Sequence, residues 1–411
     1  KAEWPEADYV VGNPPFIGNK RMRVALGDGY VDALREVWGD AVPQSADFVM
    51  YWWQKAGHLA RAGKLRQFGL ITTNSIRQSF NRRIVSHHLG AKPPLSLVFA
   101  IPDHPWVDAE EGAAVRIAMT VGTAGDLPGS RGHLKSEDKS FESSERALQI
   151  SWQHGKIFED LSVGANVAGC QALDSNIPLS NRGVIPHGSG FILTPEEAKD
   201  LGFGAASALH ERLPRYINGR DLTQSPRDAR VIDLFPLKEE EARKSYPVLY
   251  QWLLTRVKPD RDQNKRKSVR ERWWIFAEPR KVMRAVHANL KRYIATVQVS
   301  KHRFFVFIEK AVVPDDKVIA IGLQSAEALA VLSSRAHILW SFASGARMGV
   351  GNDPVYNKSS CFDAFPFPAL QGSDISGAAE IAEQLDAHRK RQQKQHPDLT
   401  ITGMYNVLEK L

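Results

Sequence analysis

One short segment near the start of the chain combines residue types that can activate an amino nitrogen. Asn13, Pro14, Pro15 and Phe16 directly follow the apolar run of residues 7–12. The amino group of adenine is a poor nucleophile because its lone pair is delocalised into the ring, so two hydrogen-bond acceptors are needed to draw the nitrogen towards tetrahedral geometry. The Asn13 side-chain oxygen and the Pro14 carbonyl oxygen are two such acceptors. Each proline fixes its φ at about −65°, which would hold both acceptors in place before a substrate arrives.

The aromatic residue of the segment extends this hypothesis. A base stacked inside a duplex does not present its amino nitrogen to an enzyme, so the nucleotide must be extruded, and Phe16 would then stack on the extruded base. The alternative is structural, because an Asn-Pro turn after a strand is common and Phe16 would then only fill the core. The four residues alone leave these two interpretations equally open.

The surrounding pattern predicts the second half of an α/β sheet. Residues 7–12 are typical of a buried strand, and residues 45–62 carry apolar and aromatic side chains at helical spacing, with Ser45 or Asp47 as the helix cap. Further strands are expected at residues 67–73, 93–102 and 113–122, and a basic helical stretch includes Arg77, Arg82 and Arg83. Ligand sites of open α/β sheets lie at the C-terminal ends of strands, which is where the Asn-Pro-Pro-Phe segment stands.

Composition predicts four regions along the 411 residues, which are too many for one ordinary core. Residues 1–125 contain the predicted sheet. Residues 126–150 are polar and contain several glycines, so we expect a flexible connection there. Residues 151–370 mix short strands and helices with frequent Pro and Gly, which indicates a mixed α+β domain, and residues 371–411 are typical of a charged helical tail.

Composition also restricts the partners. The 54 Lys and Arg residues exceed the 46 Asp and Glu residues and give a net charge of +8, which favours polyanionic partners, although only weakly by itself. Cys170 and Cys361 are far apart, so we predict no disulfide framework, no cysteine-based zinc site, no metal, and a reducing cytoplasmic location. No apolar run approaches the length of a bilayer span, and we expect no membrane partner. The sequence does not indicate the oligomeric state.

Residues 10–19, Val-Val-Gly-Asn-Pro-Pro-Phe-Ile-Gly-Asn, resemble motif IV of the gamma-class N6-adenine DNA methyltransferases. The downstream helix, the strand that ends before Asn74-Ser75, and the strands around Phe99 and Arg116 follow in the order of that family's motifs V, VI and VIII. More narrowly, the chain resembles the single-chain type IIL/IIG restriction-modification enzymes of the MmeI group and the phage-defence methyltransferases related to them. The segments that resemble their recognition domain are residues 190–194, 215–222 and 355–368.

The resemblance implies a fold and a set of ligands. The fold is a partial Rossmann-like class I methyltransferase sheet, with residues 1–125 as the C-terminal half of the catalytic domain and residues 151–370 as a target-recognition domain. The cofactor is S-adenosylmethionine, and the partner is double-stranded DNA. Asn13 would also contact the cofactor. The family's glycine-containing cofactor loop precedes motif IV and has no counterpart in the twelve residues before Asn13, so the other cofactor contacts are expected upstream.

The resemblance also places Trp106 on the opposite side of the base pocket, as a second stacking residue. The alternative is that Trp106 packs in the core or in an interface, as aromatic residues after strands usually do. Asp103 and His104 lie nearby and have the residue types of a general base. The resemblance implies no side-chain base, and the proton would leave to water after methyl transfer.

Two basic stretches in the second half of the chain, residues 256–272 and 280–292, are candidates for contact with DNA phosphates, which gives affinity without sequence choice. The predicted contacts are Lys265, Arg266, Lys267 and Arg270. Base reading requires polar side chains that enter a groove, and the candidates are Arg303, Arg347, Asn352 and Lys358. The alternative for both sets is a solvated surface.

Three functions remain open. The first is site-specific transfer of a methyl group to adenine N6 within a restriction-modification or phage-defence enzyme. The second is a DNA-binding specificity module that is inactive by itself. The third is a methyltransferase for RNA or protein glutamine, because Asn-Pro-Pro followed by an aromatic residue serves amide and amino acceptors in related folds.

Overall fold

The computed structural model describes residues 3–106, 115–137, 148–167, 169–204, 209–348, 353–369 and 373–411. The chain divides into two compact units, and the first unit ends at Gly169 where the second begins at Cys170. This boundary differs from the expected division at residue 150. The helical tail at the C-terminus belongs to the second unit.

The first unit contains a mixed six-stranded sheet in the order β1-β2-β4-β3-β5-β6. Its strands are β1 (Tyr9–Gly12), β2 (Gln67–Thr73), β3 (Leu95–Pro105), β4 (Arg116–Ala124), β5 (Gly129–Glu137) and β6 (Leu148–Gly155). β1 is parallel to β2, and β4 is antiparallel to both β2 and β3. β2 and β3 therefore run in the same direction, and the C-terminal ends of β1, β2 and β3 lie at one edge of the sheet.

Four helices accompany this sheet: α1 (Asn19–Leu26), α2 (Asp28–Trp38), α3 (Met50–Arg61) and α4 (Ser79–Gly90). α3 packs on the sheet through Trp53, whose side chain is fully buried and whose indole nitrogen donates to the hydroxyl of Thr120 at 3.2 Å. α3 and α4 approach closely at Gly57, where an added Cβ would lie 3.2 Å from the ring of His88. The predicted helix at residues 45–62 is confirmed, but it begins at Met50 and has no side-chain cap.

The flexible connection expected at residues 126–150 is wrong for the residues that the structure describes there. β5 pairs in parallel with β3, and β6 pairs with β5 along most of its length. The remainder of the expected connection, residues 138–147, lies outside the described residues. Polar strands at the end of a sheet carry only a weak apolar alternation, which is why composition indicated a loop.

The second unit contains short strands and helices around one antiparallel sheet of the order β12-β11-β14-β7. Its strands are β7 (Ser180–Arg182), β8 (Ile192–Leu193), β9 (Tyr216–Ile217), β10 (Arg230–Val231), β11 (Arg292–Val297), β12 (Val306–Glu309), β13 (Val313–Pro314), β14 (Val318–Ile321), β15 (Ala346–Met348) and β16 (Asp353–Val355). Two-stranded ladders join β8 to β10, β9 to β13 and β15 to β16.

The helices of the second unit are α5 (Pro195–Asp200), α6 (Gly219–Thr223), α7 (Glu239–Ser245), α8 (Pro247–Arg256), α9 (Lys258–Asp262), α10 (Lys267–Glu271), α11 (Lys281–His287), α12 (Ala326–Ser333), α13 (Arg335–Ser344), α14 (Ser373–Gln395) and α15 (Ile401–Leu408). The side chains of β11 alternate between two hydrophobic clusters. Tyr293 and Ala295 belong to one cluster with Trp273, whereas Ile294 belongs to another with Phe362. Both faces of this sheet are therefore covered, which explains why β11 is apolar almost throughout.

The structure confirms the predicted fold class: an α/β sheet, a mixed α+β region and a helical C-terminus. The burial expected for the strand at residues 7–12 is wrong, because β1 is the terminal strand of the described sheet and Val11 is 86% exposed. Across the described ranges, no helix is both long enough and apolar enough to cross a bilayer.

Candidate active site

The Asn-Pro-Pro-Phe segment forms a loop at the C-terminal end of β1. Asn13 is exposed and Pro14 is buried, while Pro15 is exposed and Phe16 is half-buried. The amide of Ile17 donates to the carbonyl of Pro15 at 3.1 Å, which closes the loop on itself. The Asn13 side chain therefore faces solvent, as an acceptor for a substrate must.

Trp106 reaches the same edge of the sheet from the end of β3. The rings of Phe16 and Trp106 meet edge to face, with centroids 6.5 Å apart and planes at 79°. Trp106 is 37% exposed, and its amide donates to the carbonyl of Val115 at 2.9 Å. Two residues 90 positions apart in sequence thus form a partly open aromatic corner beside Asn13.

An ion pair joins the neighbouring strands β3 and β4 at this edge of the sheet. Asp103 accepts from the Nε of Arg116 at 2.6 Å and from the side-chain amide of Asn74 at 3.3 Å. Both donors hold the Asp103 carboxylate within the protein. The Nδ1 of His104 lies 2.6 Å from the carbonyl oxygen of Pro105. Neither side chain is arranged as a general base.

Asp47 connects the segment after β1 to the segment after β2. The Asn-Pro-Pro-Phe loop, residues 13–16, is named the acceptor loop because Asn13 and Pro14 carry its two candidate acceptor oxygens. Its carboxylate accepts from the amide of Asn19 at 3.0 Å, from the hydroxyl of Ser75 at 2.6 Å and from the side-chain amide of Asn81 at 2.8 Å. The amide of Asp47 in turn donates to the side-chain oxygen of Asn81 at 2.9 Å. The residue expected to cap α3 thus joins the segments that follow β1 and β2 to α4.

An aromatic cleft of about 330 Å³ adjoins the loop on the side of α2 and α3. Phe48 connects the two features, because its ring lines the cleft and its amide donates to the carbonyl of Ile17 at 2.9 Å. The rings of Phe48 and Trp52 meet at 4.6 Å. The other aromatic residues of the lining are Trp4, Tyr30, Trp38 and Tyr51.

In the second unit, the predicted phosphate contacts lie around α10. Lys265, Arg266 and Lys267 are exposed. Arg266 lies 3.8 Å from the carboxylate of Glu278, and Lys267 lies 3.5 Å from that of Glu271, so both cations are partly balanced. The half-buried Arg270 donates to the carbonyls of residues 264 and 265, which shapes this turn.

Arg261, in the same basic stretch, cannot contact phosphate because it is 1% exposed. Its guanidinium donates to the carbonyls of Pro186, His187, Arg272 and Ile275. Burial lowers its pKa to about 10. Arg261 therefore anchors the basic stretch to the loop that follows β7 and does not extend the charged surface.

The prediction that Arg303 reads bases is wrong, because Arg303 is buried like Arg261. It is 3% exposed, and it donates to the hydroxyl of Thr296 and to the carbonyls of Val297 and Pro354. Burial lowers its pKa to about 10. The aromatic and apolar residues that follow it, Phe304 to Phe307, were the sequence signal that this position enters the core.

The other predicted base readers have different surroundings. Arg347 is exposed on β15, and its guanidinium lies 5.9 Å from the ring of Phe342. Lys358 pairs with the buried carboxylate of Asp363 at 2.5 Å and keeps 26% of its side chain exposed, so its charge is compensated within the protein. Asn352 lies outside the described residues.

Family models match both units of the chain. The model of the MmeI DNA-methyltransferase domain matches residues 2–131, and the model of the MmeI target recognition domain matches residues 171–369. No curated protein matches the chain.

Among solved structures, the type IIL restriction-modification enzyme MmeI in complex with DNA is similar over 97% of this chain, with a TM-score of 0.71. Its sequence identity is 18%, so this likeness shows the fold alone, and the chain spans 51% of the length of that structure's chain. The type IIG restriction endonuclease BpuSI matches with 10% identity, a TM-score of 0.32, and coverage of 92% of this chain and 49% of its own. A DrdV–DNA complex matches with 9% identity, a TM-score of 0.42, and coverage of 93% and 44%.

The match to the methyltransferase domain ends before Gly169, and the match to the target recognition domain begins after it, so the two matches fall on different units. The chain belongs to the MmeI family, of which it carries the DNA-methyltransferase domain and the target recognition domain.

Proposed function

We propose that this chain forms the acceptor side of a DNA methyltransferase that transfers a methyl group from S-adenosylmethionine to adenine N6, within a restriction-modification or phage-defence enzyme. The observation that carries the proposal is the exposed Asn13 in its proline-stiffened loop, beside the edge-to-face pair of Phe16 and Trp106. Acceptors and rings of these types suit an extruded purine that carries an amino group.

The chemistry follows from what these groups do to the amino nitrogen. The Asn13 side-chain oxygen and the Pro14 carbonyl accept its two hydrogens and localise the lone pair on nitrogen. Positive charge develops on that nitrogen in the transition state, and the partial negative charges of both oxygens stabilise it. Phe16 and Trp106 hold the base in place, and the released proton passes to water. Neither Asp103 nor His104 takes part in this proton transfer, in keeping with their engaged positions.

The cleft beside the loop fits the expected cofactor. Tyr30 and Trp52 line the cleft and offer aromatic surface to an adenine ring. The amide of Phe48 donates to the carbonyl of Ile17, which joins this lining to the acceptor loop. S-adenosylmethionine supplies the methyl group when bound. Asn13, at the start of the same loop, would contact its reactive end.

The second unit supplies the DNA contacts in this proposal. Its match to the MmeI target recognition domain covers residues 171–369 and includes the exposed cluster of Lys265, Arg266 and Lys267. We assign phosphate contact to these cations and to Arg270. We assign base reading to Arg347 and Asn352, because Lys358 is held by the carboxylate of Asp363.

The test uses the full-length protein with S-adenosylmethionine labelled in its methyl group and double-stranded DNA. We expect N6-methyladenine in the DNA, and a fall in transfer of about 100-fold or more in Asn13→Ala, comparable to the loss of one preorganised polar group in other active sites. Gln171→Ala is the control, because it removes an exposed side-chain amide of the second unit outside both basic stretches.

The outcomes separate the candidate functions. An Asn13→Ala protein as active as its parent would eliminate the proposed role of the loop. Transfer into RNA or into glutamine-containing peptides, but not into DNA, would replace the substrate class. Tight binding to DNA with no transfer to any of these substrates would support the specificity module.

A further inference from the structure

We propose that the first turns of α4, with Phe80, Arg82 and Arg83, form a second DNA-contact surface, on the methyltransferase unit itself. This surface would hold the phosphodiester backbone next to the extruded adenine. The inference rests on the proposed function, because it takes the Asn13 edge as the place where the target base enters.

The first argument is the distribution of charge along the sequence. The 55 residues from Phe48 to Pro102 contain no Asp or Glu, whereas they contain eight Lys and Arg residues. The chain as a whole carries only eight more basic than acidic residues. A run with this excess of basic residues favours contact with a polyanion, and it includes the whole of α4.

The second argument is position. β2 is parallel to β1, so the residues after Thr73 emerge at the same edge of the sheet as the acceptor loop. The chain then passes through the 3-10 turn Asn74–Arg77 directly into α4. The first turn of α4 is therefore next to the Asn13 edge, whereas Lys64 and Arg66, which precede β2, lie at the opposite edge.

The third argument is the rigid connection between α4 and the acceptor loop. Asn81 is 4% exposed and binds Asp47 through both its side-chain oxygen and its side-chain nitrogen. The same carboxylate holds the amide of Asn19, six positions after Asn13. A phosphate bound on α4 would thus be held at a fixed distance from the amino-group acceptors, which is what positioning of a reacting base requires.

The fourth argument is the exposed face of the helix. Asn81, Ile84, Val85 and His88 are buried, so the opposite face, which includes Phe80 and Arg83, is turned to solvent. Phe80 is 49% exposed, and the Arg83 guanidinium lies over its ring at 5.6 Å. Arg82 is half-buried one position before Arg83. An aromatic ring under a guanidinium orients the cation without neutralising it, so the charge stays available to an anionic backbone.

The experiment measures binding of the full-length protein to a fluorescently labelled 40-base-pair duplex of mixed sequence over a series of salt concentrations. The slope of log affinity against log salt is negative, and removal of one phosphate contact reduces its magnitude by about 0.9. We expect Arg82→Ala/Arg83→Ala to reduce the magnitude of the slope by about 1 to 2, and a lower slope means this reduction throughout. Phe80→Ala should weaken binding with a smaller change of slope. Lys64→Ala is the control, since it removes an exposed cation at the opposite edge of the same sheet.

Methyl transfer into DNA is measured in parallel, so that the surface and the proposed function can fail separately. An unchanged salt slope in the double variant, in a protein whose parent methylates DNA, would overturn the surface while leaving the function intact. A reduced slope in a protein whose parent transfers no methyl group would support the surface as a DNA contact and reject the function. A Lys64→Ala protein whose slope falls as much as that of the double variant would show a general charge effect and would also overturn the inference.

Discussion

Replacing Asp47 by alanine would remove the group that joins the acceptor loop to β2 and α4. The carboxylate accepts three hydrogen bonds, from Asn19, Ser75 and Asn81, and Asn81 is buried. Hydrogen bonds to a charged group contribute about 1.5–3 kcal/mol each, but Asp47 is half-buried and water can replace part of the loss. We therefore expect the free energy of unfolding to fall by about 2–4 kcal/mol.

The effect on catalysis should exceed the effect on DNA binding. Asn13 lies six residues before Asn19, so loss of the Asn19 anchor would let the loop shift, and a displacement of about 1 Å can cost about 100-fold in rate. A 100-fold loss corresponds to about 2.7 kcal/mol of transition-state stabilisation. DNA affinity should stay within a few-fold of the parent, because Asp47 does not belong to either proposed DNA surface.

The assay compares kcat for methyl transfer, DNA affinity and urea unfolding in Asp47→Ala, Asp47→Asn and Asp126→Ala. Asp47→Asn retains an acceptor and should fall between the parent and the alanine variant. Asp126 is 72% exposed and pairs with Lys156 at 3.0 Å, so its replacement should leave all three quantities nearly unchanged. An Asp47→Ala protein that is destabilised but keeps its kcat per folded molecule would refute the positioning role.

Two further predictions concern buried basic residues. Burial lowers the pKa of His88 and His337 to about 3, whereas an unfolded histidine titrates near 6.5, so the unfolded state binds more protons as the pH falls below 6.5. Each should cost about 2 kcal/mol of folding free energy between pH 7 and pH 5. Urea unfolding at the two pH values measures this, and equal stabilities would contradict it. Arg303→Met should cost about 2–4 kcal/mol, because the carbonyls of Val297 and Pro354 lose a buried donor. It should leave the salt slope of DNA binding unchanged, and a lower slope would show that Arg303 contacts DNA.

Elements with a clear apolar period could be predicted from the sequence. The strand at residues 67–73 was expected with its observed bounds, because buried and half-buried positions alternate along Gln67–Thr73. The helix at residues 45–62 was expected about five residues too early, because Ser45 and Asp47 have the residue types of helix caps. Asp47 instead bonds to groups 28 and 34 positions away. The residue type of Asp47 indicates that it can accept hydrogen bonds, but it does not indicate which distant residues donate them.

The site could be predicted only where chemistry and position in the chain coincide. Asn13 follows a strand directly, so its placement at the edge of a sheet followed from local sequence. The contact between Phe16 and Trp106 depends on the antiparallel register of β3 with β4, and no local pattern reports that register. The burial of Arg303 opposes the general tendency of arginine to remain at the surface. Its three acceptors in the core compensate for that tendency, and they lie 6 or more positions away.

A four-residue motif can present two acceptors in any turn, so the selectivity for an amino group on a base must come from what surrounds it. In this chain the parallel pair β1 and β2, with β3 in the same direction, brings three segments to one edge, and Asp47 holds two of them together. Trp106 supplies the second aromatic face from the third segment. These contacts connect the loop, α4 and β3. A substitution at any of them should therefore displace Asn13 without changing its hydrogen-bonding groups. Catalytic losses in Asp47 and Trp106 variants should therefore appear in kcat, while the acceptor class of the substrate stays the same.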